Sequence, residues 1–278
     1  MRGRNAFAFA AMLLALLALV ACGGGTTEEE TADPNAEAFA AMDEMKSELD
    51  GLKSQVEALS ASLNAEPTEG EGAEGEAAEG EEGAEPAKTP EEIEAEIADL
   101  QGQIADKTDD LYAKIIEYIN NSGLVEGAER TPEQKKAFDM KADIDISYAQ
   151  EYIDKGGDYK RAIDIYMQAL MSDETNAKLL EAKALAESLR YMNEERFGQV
   201  KKGMTQDEVK GLLGTVKTTN VRDFADKGRV GWFYPKSPEA GGGAAGVYFK
   251  EKPKGSEKWV VEITDYEAVK GQSQAEEG

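Results

Sequence analysis

Histidine is absent from the 278 residues, and cysteine occurs once. The first absence removes the side chain most often used as a general base and as a metal ligand. A single cysteine excludes a disulfide within the chain and a thiolate metal cluster. Positive charge is scarce: 31 Lys and Arg face 56 Asp and Glu, a net of −25. Nucleic acid is not an expected partner, because phosphate binding needs a basic face. No Gly-rich phosphate loop follows a strand, no nucleophile elbow occurs, and no cluster of metal-ligating residues is spaced for a metal. Carboxylates are abundant, but their densest run has no apolar surroundings to raise a pKa. The sequence therefore predicts no enzyme, no cofactor and no metal site.

The charge that is present is unevenly spread. Residues 23–90 carry 19 acids and 3 bases, whereas residues 196–270 carry 14 bases and 10 acids. Ahead of the acidic stretch, Arg2 and Arg4 precede an uncharged run of 15 residues, Ala6 to Val20. That run is short for a membrane span, which needs about 20 residues, and suits the core of a signal peptide. It ends in Leu19-Val20-Ala21-Cys22, followed by Gly23-Gly24-Gly25. This resembles a bacterial lipobox. The resemblance implies cleavage before Cys22 (signal peptide 1–21) and acylation of Cys22 at its thiol and freed amine. More than one acyl chain anchors a protein stably. Gly23 after the cysteine implies, again by resemblance, an outer-membrane lipoprotein facing the periplasm.

Residues 22–36 read as the lipidated cysteine and a polar tether. From 37 to 65, Ala38, Met42, Met45, Leu49, Leu52, Val56, Leu59 and Leu63 recur at alternating spacings of four and three. That is a coiled-coil seam. Two readings stay open: a homo-oligomeric stalk through residues 38–63, or a helix packed on later helices of the same chain. Residues 66–89 are a Glu/Gly-rich linker without aromatic or branched aliphatic residues, expected to be disordered. Thr89-Pro90-Glu91-Glu92 and Thr131-Pro132-Glu133-Gln134 are helix starts with a capping threonine and proline in the first helical position. They predict helices over 90–121 and from 132 to about 155, and a further long helix over 177–197.

Within the helical region 90–197, residues 143–176 resemble one tetratricopeptide repeat, a helix–turn–helix of 34 residues. Gly157, Tyr159, Ala162, Ile163, Tyr166, Ala169, Leu170 and Asp173 carry the likeness. Gln150 and Glu174 depart from it, standing where a small residue and a proline are usual. The resemblance implies a surface for peptides or other proteins. One repeat does not form a solenoid, so neighbouring helices are expected to complete the unit.

Residues 198–268 hold Gly203-Met204-Thr205, Val209 and Leu212-Leu213-Gly214, then Trp232 and Tyr234. Thr205 is placed to cap a short helix, and Glu208 to reach back to its start. Strands are predicted over 217–224, 229–234, 246–250 and 258–265, with Gly241-Gly242-Gly243 at a mobile hairpin tip. This order is similar to the SmpA/OmlA (BamE-like) family. The likeness implies a non-enzymatic module that docks on outer-membrane assembly machinery and touches anionic lipid. Met204, Trp232 and Tyr234 are its candidate protein-binding residues. Residues 269–278 read as a disordered tail.

The expected fold is thus mainly α, with coiled-coil helices and tetratricopeptide-like hairpins, ending in a small α+β domain of two short helices and an antiparallel β-meander. The expected function is a membrane-anchored, non-catalytic adaptor for envelope proteins, such as the β-barrel assembly machinery. The alternative is a coiled-coil spacer between outer membrane and cell wall.

Overall fold

The computed structural model describes residues 34–64, 88–125, 128–256 and 258–271. Cys22, the signal segment, the tether and nearly all of the acidic linker lie outside the described residues. Among the described residues the chain is mainly helical and ends in a four-stranded antiparallel sheet. The helices are α1 (Pro34–Asn64), α2 (Pro90–Asn121), α3 (Pro132–Gly156), α4 (Tyr159–Leu170), α5 (Ala177–Arg190), α6 (Glu194–Phe197) and α7 (Gln206–Leu213). The strands are β1 (Val221–Phe224), β2 (Arg229–Pro235), β3 (Gly243–Glu251) and β4 (Trp259–Lys270), paired in chain order as a meander.

Local chemistry explains most helix starts. Thr89, Thr131 and Thr205 each accept a hydrogen bond from the third helical N–H, while Glu92, Gln134 and Glu208 reach back to the capping residue's own N–H. Each reciprocal box satisfies two N–H groups that the helix leaves unpaired, worth about 1 kcal/mol for the threonine alone. Gln134 also donates to the Ser122 carbonyl at 2.9 Å, tying the end of α2 to the start of α3. Asp158, Asn176 and Asn193 cap α4, α5 and α6.

From Met42 to Leu49 the α1 seam is covered within the chain, while Ala38 is exposed and Phe39 beside it packs on the core instead. Met42 and Leu49, 1 % and 3 % exposed, share a core with Leu111, Ile115 and Tyr118 of α2 and with Ala137, Met140 and Ile144 of α3. Lys107 meets Glu48, and Lys136 meets Asp43, both at 2.5 Å across these helices. A second core joins Ala142, Ala149 and Ile153 of α3 to Tyr159, Ala162, Ile163, Tyr166 and Ala169 of α4 and to Leu179 and Ala186 of α5. The small residues of α3 buried here are Ala142 and Ala149, the latter one position before the exposed Gln150. A third core holds Val209 and Leu213 of α7 against Tyr234, Ala245, Val247, Phe249 and Val261 of the sheet. Each such aliphatic side chain contributes about 1.5–3 kcal/mol through burial.

Several boundaries differ from the sequence expectation. The single helix over 177–197 is broken. α5 ends at Arg190 because Met192 leaves it to pair with the end of β2, donating its N–H to the Pro235 carbonyl at 2.8 Å. Arg196 then donates to the Ser188 and Tyr191 carbonyls, meeting acceptors at the end of α5. The strand expected over 217–224 starts only at Val221, after a 3-10 turn at Thr218–Asn220. The third and fourth strands are longer than expected, and β4 passes residue 268, because Gly243 and Ala244 pair with Lys270 and Val269. Gly243 is therefore packed strand rather than hairpin tip: a Cβ on it would lie 2.2 Å from the Val269 carbonyl oxygen.

The helices and the sheet meet at the α3–α4 turn. Gly157 ends α3 at φ +62°, and a Cβ there would lie 2.5 Å from the Val216 carbonyl group. The Thr215 N–H donates to the Tyr159 hydroxyl at 2.8 Å. Lys217 faces Asp158 at 3.7 Å.

Candidate functional site

Met204, Trp232 and Tyr234 all pack on the core beneath the sheet. Gly203 and Met204 are strapped to the β4 edge, where Gly203 donates its N–H to the Val261 carbonyl and Val261 donates back to that of Met204. Met204 is half-buried. Trp232 is also half-buried, its ring tilted over Phe249 at 4.7 Å between centroids. Tyr234 is only 4 % exposed and donates its hydroxyl to the Gly214 carbonyl at 3.2 Å. Burial, and the nearby Tyr159 to a lesser degree, push the Tyr234 phenol well above the usual tyrosine range. Tyr234 is therefore a packing residue that holds Gly214 in place, with no surface to offer a partner. The alternation of β2 explains this. Residues 232 and 234 share one sheet face, and that face carries the core.

The lysines of the sheet module are dispersed. Lys201 donates to the Gly198 carbonyl at 2.7 Å, Lys250 sits 3.7 Å from Glu262, and Lys252, Lys254 and Lys258 are exposed around the β3–β4 turn. Lys236 is buried, donating to both carboxylate oxygens of Glu267 at 2.8 Å with its ammonium 4.8 Å from the Tyr266 ring centre. Among the described residues no group of three or more Cys, Asp or Glu is arranged to hold a metal ion.

A marked concavity lies in the helical part. A groove of about 950 Å³ runs along α3, with Tyr112 and Ile116 of α2 on one side, Ile165 and Ala169 of α4 on the other, and Lys217 at one end. Tyr112 and Tyr148 meet edge to face, 6.1 Å between centroids. Below them is a polar cluster. Tyr112 donates to Asp145 Oδ1 at 3.0 Å, Lys141 donates to Asp145 Oδ2 at 2.6 Å, and Tyr148 donates to Asp109 at 2.5 Å.

Burial and then the Asp145 charge raise the Tyr112 phenol, with Lys141 partly offsetting them. Burial and its bond to Asp109 raise the Tyr148 phenol further. Burial pulls the Lys141 ammonium down, but its bond and charge contact with Asp145, helped by Tyr112, hold it above the usual lysine value. The tyrosines thus stay neutral and Lys141 stays charged near neutral pH. These groups neutralise and bind one another, an arrangement that fixes the groove wall.

A second, smaller groove of about 410 Å³ lies on the other flank of α3. It runs between Ile146, Gln150 and Ile153 of α3 and Lys178, Ala182, Leu185 and Leu189 of α5, with Leu185 exposed at its rim. Neither groove was legible as a site in the sequence. The first is marked by polar and aromatic residues at helical spacing, a signal hidden when only apolar periodicity is counted.

Comparison with protein families, with curated proteins and with solved structures finds no match to this chain.

Proposed function

We propose that this chain is a non-catalytic adaptor, tethered to the outer membrane through lipid on Cys22, that binds envelope proteins through its helical part. The observation that carries the reading is the open groove along α3, whose acidic and basic groups are engaged with one another. A concave surface with an aromatic floor and mixed charges suits recognition of another chain. The Leu-Val-Ala-Cys sequence ending at Cys22 supports the tether. The likeness of residues 143–176 to one tetratricopeptide repeat supports protein binding. The two short helices and the meander support a SmpA/OmlA-like module, and membership of an assembly such as the β-barrel machinery is proposed on that likeness alone.

Affinity purification of the tagged full chain from its own cells tests the proposal. An envelope protein enriched well above an untagged control supports it, and recovery of the chain alone removes it.

The spacer reading keeps one observation in its favour. Beyond Leu49, the seam residues Leu52, Val56, Leu59 and Leu63 of α1 are half-exposed, as are Ile93, Ile97 and Ile104 of α2. A coiled-coil spacer would pair this stretch with other copies. Analytical ultracentrifugation of residues 23–278 decides it, because a monomer at micromolar concentration eliminates self-pairing.

A further inference from the structure

Two loops at one pole of the helical part carry the most exposed large apolar side chains of the described residues, Met171 at 82 % and Val125 at 69 %. Leu124 is exposed beside Val125, and Met167 is exposed one turn before Met171 on α4. A loop between helices is ordinarily polar. These side chains fill no core, because each lies outside the three buried clusters. The two loops are joined. Arg130, at the end of the α2–α3 loop, donates to Asp173 at 2.6 Å and to the Ser172 carbonyl at 3.0 Å in the α4–α5 loop. Ala128 and Met171 line one shallow depression between them.

The same pole is where α1 begins. Phe39, in the second turn of α1, meets Tyr118 near the end of α2 at 5.6 Å between centroids. The Lys136 ammonium, near the start of α3, lies 5.3 Å from the centre of the Phe39 ring. From this pole α3 runs to the opposite one, where Gly157 abuts Val216. Cys22 precedes Pro34 by 12 positions. At about 3.3 Å per residue, that length of chain spans at most about 40 Å. A lipid on Cys22 therefore brings the Leu124–Val125 and Met171 loops within reach of the bilayer. The sheet lies a further α3 length away, 25 residues, or about 37 Å at about 1.5 Å per residue.

We infer that this pole is a second membrane contact, in which Leu124, Val125 and Met171 enter the boundary between headgroups and acyl chains of the bilayer that holds Cys22. The inference goes beyond the adaptor reading and rests on its tether. Three side chains are a weak anchor by themselves. A short tether makes their contact intramolecular, at an effective concentration of about millimolar, so modest burial suffices. Met171 suits the role, since its unbranched thioether adapts to an irregular apolar surface. Charge specifies the lipid. The cations of this pole already hold carboxylates: Arg130 with Asp173, Lys135 with Glu129 at 2.8 Å, and Lys136 with Asp43 at 2.5 Å. Glu133 and Glu174 stand exposed around the same loops. The surface met is therefore zwitterionic, because anionic headgroups are repelled. Docking at this pole stands the helices on the bilayer and turns the sheet away from it.

The test uses the whole chain from Cys22 onward, coupled through its only thiol to a maleimide lipid in phosphatidylcholine vesicles. The coupling supplies the anchor, so the result does not depend on acylation in cells. Tryptophan is introduced as Val125→Trp, as Met171→Trp and, on the sheet, as Ile263→Trp. The emission of the native Trp232 and Trp259 is subtracted with the unaltered chain. Quenching by phosphatidylcholine brominated high on its acyl chains reads insertion. Emission from Val125→Trp and Met171→Trp should fall by about half or more, and that from Ile263→Trp should not change. Added to Met171→Trp, the pair Leu124→Ser and Val125→Ser should cut the docked-to-free ratio about 10-fold, from the apolar area withdrawn. High salt should leave the quenching unchanged, and anionic lipid should weaken it. All the altered side chains are exposed, and an unchanged circular dichroism melt checks folding. Either loop's tryptophan carries the result should the other perturb the melt. No quenching at 125 and 171 would overturn the inference and give the pole to a protein. Equal quenching at 263 would mean indiscriminate adsorption and overturn it. Quenching that needs anionic lipid and vanishes in salt would mean electrostatic adsorption and overturn it too. Each of these outcomes leaves the adaptor reading standing, which the affinity purification tests by itself.

Discussion

Replacing Gly157 with alanine tests how firmly the helices and the sheet are joined. Gly157 adopts φ +62° and donates its N–H to the Ile153 carbonyl at 2.8 Å. A non-glycine residue in this left-handed region costs about 1 kcal/mol. The added methyl would also lie 2.5 Å from the Val216 carbonyl and 2.6 Å from the Lys217 nitrogen, both backbone atoms that cannot rotate away. Moving the 216–217 segment disturbs the Tyr159–Thr215 bond beside it, an overpacking cost of about 1–3 kcal/mol more. The expected loss is about 2–4 kcal/mol, or roughly 5–15 °C in melting temperature for a folded part of this size. Gly123 is the control, at φ +67° with nothing within 4 Å of the methyl that alanine would add. Gly123→Ala should cost only the conformational part, about 1 kcal/mol. Thermal melts of the two variants by circular dichroism give the comparison. Equal losses would refute the close junction between the α3–α4 turn and residues 215–217.

Four further outcomes are expected. Tyr159→Phe removes the acceptor for the Thr215 N–H and should cost about 1–2 kcal/mol in urea unfolding. Asp145→Ala leaves Lys141 and Tyr112 without their shared acceptor and should cost about 2–3 kcal/mol by the same measurement. Alkali should destabilise the fold: Tyr112, Tyr148 and Tyr234 have folded pKa values above the ordinary 10.0, and Lys141 above 10.5. Their contribution is fully present below about pH 10 and is lost as pH rises through the folded values, so melting temperatures should be flat on this account to about pH 10 and fall beyond it, less steeply in Tyr148→Phe. Cys22→Ser should move the chain from the membrane to the soluble fraction of lysed cells, as read by immunoblotting.

Features set by neighbouring residues were legible in the sequence. The threonine caps at 89, 131 and 205 act within one turn of helix, and the structure holds all three. The four-stranded meander followed from alternating apolar residues and turn glycines. Features set by distant pairing were not legible. Asn193 beside Met192 is a local cap for a new helix, but the break is also held by the bond of Met192 to Pro235, 43 positions away, which the sequence does not show. The extension of β4 likewise depends on Gly243 lying flush against Val269. Tyr234 looked available for binding because a motif names a residue without its facing, and β2 turns it inward. The groove along α3 escaped notice because its stripe mixes lysine, aspartate and tyrosine, and only the fold brings α2 and α4 to either side of it.

A chain that works as a tethered binder of another protein should leave the membrane in a complex with it. The most direct measurement is the mass and composition of its complex, extracted in mild detergent from its own cells and sized by light scattering on a gel-filtration column. The expected particle is heavier than the anchored chain by at least one different envelope protein in near-integral ratio. A particle containing this chain alone, single or multiple, would contradict it.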